Sequence, residues 1–249
     1  MLHKGLYELL EKEVCLRNNV EEISLLKPDP LLVASRNPDE YKALICALYA
    51  YGNAQAIVRF LNTLDFDALH CDEDTIRTRL NASYYRFQCA LDTQEFFITL
   101  SRLKKQMSLE TLFLQGYQQN HDVMQGLKVL IEALYDSNHY RSKGYEFLLG
   151  QIPKKPYISP YKRWHMYLRW MVRKDCLDLG LWKGINRSDL LIPLDVHTFR
   201  LGRKFELIQQ KTYNFKAVLE LTEQLKQFDA SDPIKYDFAL YRLGQEKKV

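Results

Sequence analysis

Apolar residues recur at spacings of three and four along almost the whole chain, and this periodicity leaves room for one fold class. Leu6, Leu9, Leu10 and Val14 line one side of a first helix, expected to end near Asn18 and Asn19. Lys27-Pro-Asp-Pro30 breaks the pattern. Asn37-Pro38-Asp39-Glu40 restarts it, with Asn37 as the expected cap and Pro38 at the first helical position. That helix runs through Leu44, Leu48 and Tyr51, pauses at Gly52-Asn53 and resumes with Ile57, Phe60 and Leu61. Further helical segments are expected over 72–80, 84–106, 108–117, 121–135 and 142–150, then over 161–174, 195–208, 214–228 and 233–243. No segment alternates as a strand does, and no internal repeat is visible. The expected class is all-α.

Composition narrows the setting. Only 10 Gly and 8 Pro stand against 16 Tyr and 12 Phe, which excludes collagen, disorder and long flexible linkers. The longest apolar run, 43–51, falls well short of the roughly 18–20 residues of a membrane span and suits a buried helix. Glu8, Glu11 and Glu13 among the first leucines do not fit a signal peptide, so a cytoplasmic protein is expected. The 5 cysteines are scattered without a C-x-x-C pair, and buried free thiols are the default reading. No metal and no cofactor is expected.

The formal net charge of +4 is unevenly distributed. Residues 1–150 hold 16 basic and 20 acidic side chains, whereas 151–249 hold 19 and 11. Within 154–204 there are 12 Lys and Arg against four acids. Such an excess makes a local field that suits a nucleic-acid backbone, or else a solvated basic face.

Two arrangements in this basic part could carry chemistry. In Ser159-Pro-Tyr-Lys162-Arg-Trp-His-Met-Tyr-Leu-Arg169-Trp-Met-Val-Arg173, helical spacing puts Trp164, Leu168 and Met171 on one face and Lys162, Arg169 and Arg173 on the opposite stripe. A core helix with a solvated basic back explains the pattern equally. Lys162 differs from its neighbours because it lies in the first turn, where the helix dipole and Arg163 favour a neutral, nucleophilic amine. The second arrangement is Ile192-Pro-Leu-Asp195-Val-His-Thr-Phe-Arg200-Leu-Gly-Arg203-Lys204. Asp195 stands where an N-cap belongs, and capping accounts for it without catalysis. A lysine and a carboxylate at two helix starts also meet the needs of N-glycosidic bond cleavage, a nucleophile for the sugar carbon and an anion for its developing positive charge.

A lysine in the first turn of a helix after the Pro-rich stretch Ile152-Pro-Lys-Lys-Pro-Tyr-Ile-Ser-Pro160, followed by I-P-L-D-V-H-T, resembles the helix-hairpin-helix DNA glycosylase superfamily, whose bifunctional members read V-P-V-D-x-H around the catalytic aspartate. The long separation between Lys162 and Asp195 is similar to the archaeal-type 8-oxoguanine glycosylase branch. That branch has an acid and an aromatic one turn apart on its closing helix, matched by Asp237 and Tyr241. The resemblance extends over about 40–243, with the specific motifs in the last 90 residues.

The resemblance implies two helical subdomains with an active-site cleft between them. One, over 36–150, would be barrel-like. The other, from 1–35 plus 151–249, would carry the hairpin-like segment 151–174 and the catalytic motifs. It implies a monomer acting on double-stranded DNA that contains a damaged base. Lys162 would attack C1′ and hold the sugar as a Schiff base, Asp195 would stabilise the cationic sugar and help deprotonate Lys162, and Asp237 and Tyr241 would hold the flipped base. Asn53 and Gln55 fall where relatives probe the opposite base, although Gly52-Asn53 also reads as a simple helix break. Lys154, Lys155, Arg163, Arg200, Arg203 and Lys204 would face the DNA backbone. Two departures stand out. The hairpin lacks the glycines of the usual L-P-G-V-G-x-K pattern, and the iron–sulfur loop of the endonuclease III-like branch is absent. A nucleic-acid-binding protein of the same fold without catalysis, a glycosylase for another lesion, and an all-α interaction module are the competing readings.

Overall fold

The computed structural model describes residues 2–246, and among them it is all-helical, with isolated bridges between Tyr85 and Gln88 and between Lys174 and Leu179 as the sole strand-like pairings. The α-helices in chain order are α1 (Leu2–Arg17), α2 (Leu31–Ala34), α3 (Glu40–Leu48), α4 (Ala54–Leu61), α5 (Glu73–Arg79), α6 (Ala90–Lys104), α7 (Leu109–Tyr117), α8 (Val123–Ser137), α9 (Lys143–Leu149), α10 (Lys162–Val172), α11 (Val196–Lys204), α12 (Phe215–Lys226) and α13 (Asp237–Glu246). None of them is long and apolar enough to cross a membrane.

The chain divides into two units, 25–154 and the described part of 1–24 with 155–249. Residues 25–35, grouped by the sequence reading with the C-terminal part, lie in the first of these because α2 buries Leu31, Val33 and Ala34 and packs on α3 and α4. In this unit α6 is central, with Phe96, Phe97, Ile98 and Leu100 fully buried. Its first turn is fixed by Asp92, which accepts from the Cys89 amide at 2.9 Å and from Tyr140 Oη at 2.9 Å.

Three local expectations change. Asn37 does not cap α3, because its φ of 55° is left-handed; Asp39 caps instead, accepting from the amides of Tyr41 and Lys42. Residues 84–89 do not extend α6. Tyr85 and Gln88 exchange backbone hydrogen bonds across a two-residue turn in which Arg86 is left-handed (φ 58°), and the Gln88 side chain donates from Nε2 to the Gly144 carbonyl at 3.2 Å. The cysteines are mostly not core residues. Cys46 is buried, but Cys15, Cys89 and Cys176 are exposed, Cys89 because it stands at the N-cap position of α6.

In the second unit α13 packs against α1 and α11. Arg17 closes α1 by bonding Glu13 at 2.8 Å, Glu22 at 3.0 Å and Glu246 at 2.9 Å, so α1 and α13 are joined through one guanidinium. Helix α10 is buried from Trp164 to Val172. Arg169 within that stretch and Arg173 at the C-cap are 4% and 6% exposed, so the arginines on the back of this helix are not solvated. Arg169 bonds Asp178 at 3.1 Å and Asp237 at 2.6 Å. Arg173 bonds Asp178, Asp175 at 2.9 Å and Asp232 at 2.9 Å. Burying a charge is costly unless it is paired, and each arginine here is paired more than once.

Asp178 is shared by both arginines. Replacing it by alanine leaves two buried cations short of a partner, so Asp178→Ala should lose about 3–5 kcal/mol of unfolding free energy. Urea denaturation of the full chain measures this. A loss below about 1 kcal/mol would mean the arginines re-pair with Asp175, Asp232 and Asp237 alone.

Candidate active site

The Pro-rich segment before α10 makes its final bend without glycine. Tyr161 takes the left-handed conformation (φ 46°, ψ 35°) and is itself buried, which directs the chain into the first turn of α10. The segment is held from outside by the Phe215 amide, which donates to the Ile158 carbonyl at 2.9 Å, and by the ring of Tyr157 edge-on to Phe215 at 5.1 Å. Lys162 opens the helix, half-buried. Its Nζ lies 3.7 Å from Met166 Sδ and makes no ion pair among the described residues.

Asp195 is the N-cap of α11, and its Oδ1 accepts from the Thr198 amide at 2.7 Å. The capping reading of this residue therefore holds, and it leaves Oδ2 without a donor among the described residues. The residues before it are anchored at several points. The Ile192 amide donates to Thr222 Oγ1 at 3.1 Å, the Leu194 amide turns back to the Ile192 carbonyl at 2.8 Å, and Tyr213 Oη donates to the Leu194 carbonyl at 2.6 Å. Burial and the neighbouring Asp195 both push the Tyr213 hydroxyl above its ordinary range, so that hydroxyl stays a donor.

Asp237 opens α13 and is 6% exposed. One oxygen accepts from Arg169 Nη1 at 2.6 Å, while the other takes no donor among the described residues. Burial pushes its carboxyl up to about 6 against the pull of Arg169; Asp195 adds to the rise and Lys162 opposes it. Lys162, Asp195 and Asp237 thus share one electrostatic neighbourhood within one unit, a cation and two carboxylates brought from three helix starts. Tyr241, one turn along α13, meets His197 of α11 edge-on at 6.5 Å, and Arg242 lies over its ring at 5.6 Å. The two helices approach closely enough here that a Cβ on Gly244 would sit 3.3 Å from that of His197.

The remaining site candidates are distributed around these. Arg200, Arg203 and Lys204 are exposed on α11, Lys155 is exposed before α10, and Arg163 is half-buried in its first turn. Lys154 is exposed at the end of the other unit. His165 is 1% exposed on α10; neither ring nitrogen has a protein partner, and burial lowers its pKa to about 3, so it stays neutral. Among the described residues no group of three or more His, Cys, Asp or Glu side chains could hold a metal ion.

In the other unit Asn53 caps α4, accepting from the amides of Gln55 at 3.0 Å and Ala56 at 3.2 Å, and both Asn53 and Gln55 are exposed. The sequence reading missed what lies beside them. The Arg86 guanidinium covers the Tyr51 ring at 5.9 Å and lies so close to Gly52 that a Cβ there would stand 2.6 Å from Nη1. Next to it Phe87, 52% exposed, and Phe147, 40% exposed, pack edge-on at 4.7 Å, with Tyr51 against Phe147 at 4.8 Å. The signal was present as Tyr84-Tyr85-Arg86-Phe87, but it was absorbed into an expected helix.

A model of the family described as protein of unknown function (DUF2400) matches residues 29–246. The chain belongs to this family. No curated protein and no solved structure matches it. Within this DUF2400 chain the match spans Lys162, Asp195, Asp237 and the Arg86 turn alike.

The raised Asp237 carboxyl has a sign that can be measured. Between the ordinary carboxylate value of 3.8 and about 6 the unfolded chain has lost this proton while the folded chain keeps it. The folded state therefore binds more protons there, and stability falls as pH rises through that window, by up to about 3 kcal/mol. Asp237→Asn should flatten this part of the pH–stability curve. Denaturation at pH 4, 5 and 6 tests it; an unchanged slope in the variant would assign the effect elsewhere.

Proposed function

We propose that this chain is a DNA glycosylase with lyase activity, removing an oxidised purine, 8-oxoguanine foremost, from double-stranded DNA. What supports the reading is that Asp195 and Lys162 both act electrostatically on the buried Asp237 carboxyl, with Lys162 in no ion pair among the described residues and each carboxylate engaged at one oxygen. In this reading Asp195 Oδ2 takes a proton from Lys162, and the amine attacks C1′ of the damaged nucleoside. The C1′–N9 bond breaks, its electron pair leaves with the base, and the proton held by Asp195 passes to that base, which restores the carboxylate facing the positive charge on the sugar. The C1′–Nζ adduct opens the sugar ring to an iminium, and loss of a C2′ proton then expels the 3′ phosphate.

Other residues fit supporting roles. The free oxygen of Asp237 is suited to accept from a purine edge, with Tyr241 as a face for the flipped base, whose extrusion costs a few kcal/mol. Asn53, Gln55, Arg86 and the exposed rings of Phe87 and Phe147 offer hydrogen bonds and stacking to bases left unpaired, as aromatics and arginine do for single strands. Lys154, Lys155, Arg163, Arg200, Arg203 and Lys204 would neutralise phosphates. The reading places a monomer on DNA in the cytoplasm. One observation favours a second reading, a nucleic-acid-binding protein without base removal: the segment before Lys162 has no glycine to bring backbone amides close to a phosphate.

The test is base release from duplexes containing 8-oxoguanine, hypoxanthine, methylated purines or oxidised pyrimidines. We expect release from 8-oxoguanine, falling by more than about 10³-fold in Lys162→Gln. Asparagine caps a helix as well as aspartate does, so Asp195→Asn keeps the cap and removes only the charge. It should slow release by about 10²–10⁴-fold while lesion binding persists. Tight binding with no release from any duplex would favour the second reading.

A further inference from the structure

The segment between α11 and α12 was not singled out by any motif, yet it is the most heavily fastened loop around Asp195. Its entry is fixed by Glu220, whose carboxylate accepts from the amides of Gln209 at 3.0 Å and Gln210 at 3.1 Å. That carboxylate is thereby occupied, and it forms no ion pair with Lys216 one turn earlier on α12. The loop's exit is fixed by Asn214, which caps α12 through the Ala217 amide at 3.1 Å and donates to Thr212 Oγ1 at 2.7 Å. Between these points Tyr213 reaches the Leu194 carbonyl at 2.6 Å and packs edge-on to Phe199 of α11 at 5.8 Å. A loop held at both ends and at its middle presents its remaining side chains in fixed places.

Among them is Lys211, and Lys216 stands just beyond the loop's exit, in the first turn of α12. Both are exposed, and neither has an ion pair among the described residues. Phe215, between them and the Pro-rich segment, bonds Ile158 and packs on Tyr157, whose ring also lies under the Lys155 ammonium at 6.0 Å. Lys216 thus directly follows the residue that ties this segment to Tyr157 and Lys155, and Lys211 stands two residues before Tyr213, which packs on Phe199 next to Arg200 in α11. We infer that residues 209–216 form a phosphate-binding element, with Lys211 and Lys216 contacting the backbone of the DNA whose base is delivered to Lys162 and Asp195. This rests on the glycosylase reading for its ligand. The fold supplies the reason for such an element: where the hairpin lacks glycine, side-chain cations on a pre-ordered loop replace backbone amides.

The experiment is fluorescence anisotropy of the full chain with a labelled duplex carrying a tetrahydrofuran abasic analogue, from about 50 to 300 mM KCl. Each phosphate contact adds about 0.9 to the slope of log affinity against log salt. Lys211→Ala and Lys216→Ala should each flatten that slope by roughly 1, and the double variant by roughly 2. Arginine at both positions should retain the slope. Lys226→Ala, at the other end of α12 and paired with Glu223 at 2.9 Å, serves as the control and should leave it unchanged. A wild-type slope that the double variant keeps overturns this inference alone, as does a Lys226→Ala variant that flattens it equally. Wild-type binding that is absent or independent of salt overturns the DNA reading and this inference with it.

Discussion

Two buried arginines, one on α10 and one at its C-cap, set the geometry of the second unit. Helix α10 is enclosed over its last nine residues, and Arg169 within it and Arg173 at its C-cap are almost wholly withdrawn from water. Their charges must be met inside, and the chain supplies Asp175 and Asp178 from the following loop and Asp232 and Asp237 from the start of the last helical segment. The desolvation cost of these charges is offset only if every partner stays in place. The network therefore holds the first residue of α13 against the helix that begins at Lys162. Arg169 is seven residues from Lys162, two turns along α10, so the same helix face that fixes Asp237 presents the lysine. A solvated basic stripe would have done nothing of the kind.

Asp195 is placed by a separate set of constraints. Its carboxylate is committed on one side to the Thr198 amide, and its chain is fastened through Leu194 to Tyr213 and through Ile192 to Thr222. Capping and chemistry are thus compatible uses of one residue, because a carboxylate has two oxygens and a cap needs one. The same economy appears at Asp237, where Arg169 holds one oxygen and the other is left open. Burial then raises this carboxyl to about 6 despite the arginine, since removing the group from water outweighs a single, shared guanidinium.

Much of this was legible in the sequence. Helical periodicity gives the class, and the starts of α10 and α11 stand where Lys162 and Asp195 place them. Pattern alone could not tell which basic residues are solvated. Arg169, Arg173 and Arg200 look alike in a charge count, and only the packing of α10 separates two buried arginines from an exposed one. The turn at Arg86 was hidden for a different reason. Tyr84, Tyr85 and Phe87 fit a helical spacing, and a non-glycine residue in the left-handed region leaves no mark in composition. Lys211 belongs to a loop, and Lys216 to the helix start that follows it, whose order comes from Glu220 and Tyr213, contacts that periodicity does not register.

The proposed role of Lys162 as a nucleophile toward a sugar carbon is tested by reduction of its adduct. This chain, a duplex with an abasic site and sodium borohydride should give a covalent protein–DNA species, and mass mapping of its proteolytic peptides should place the sugar remnant on Lys162. A remnant on any other lysine, or no trapped species under conditions where the duplex is bound, would remove Lys162 from that role.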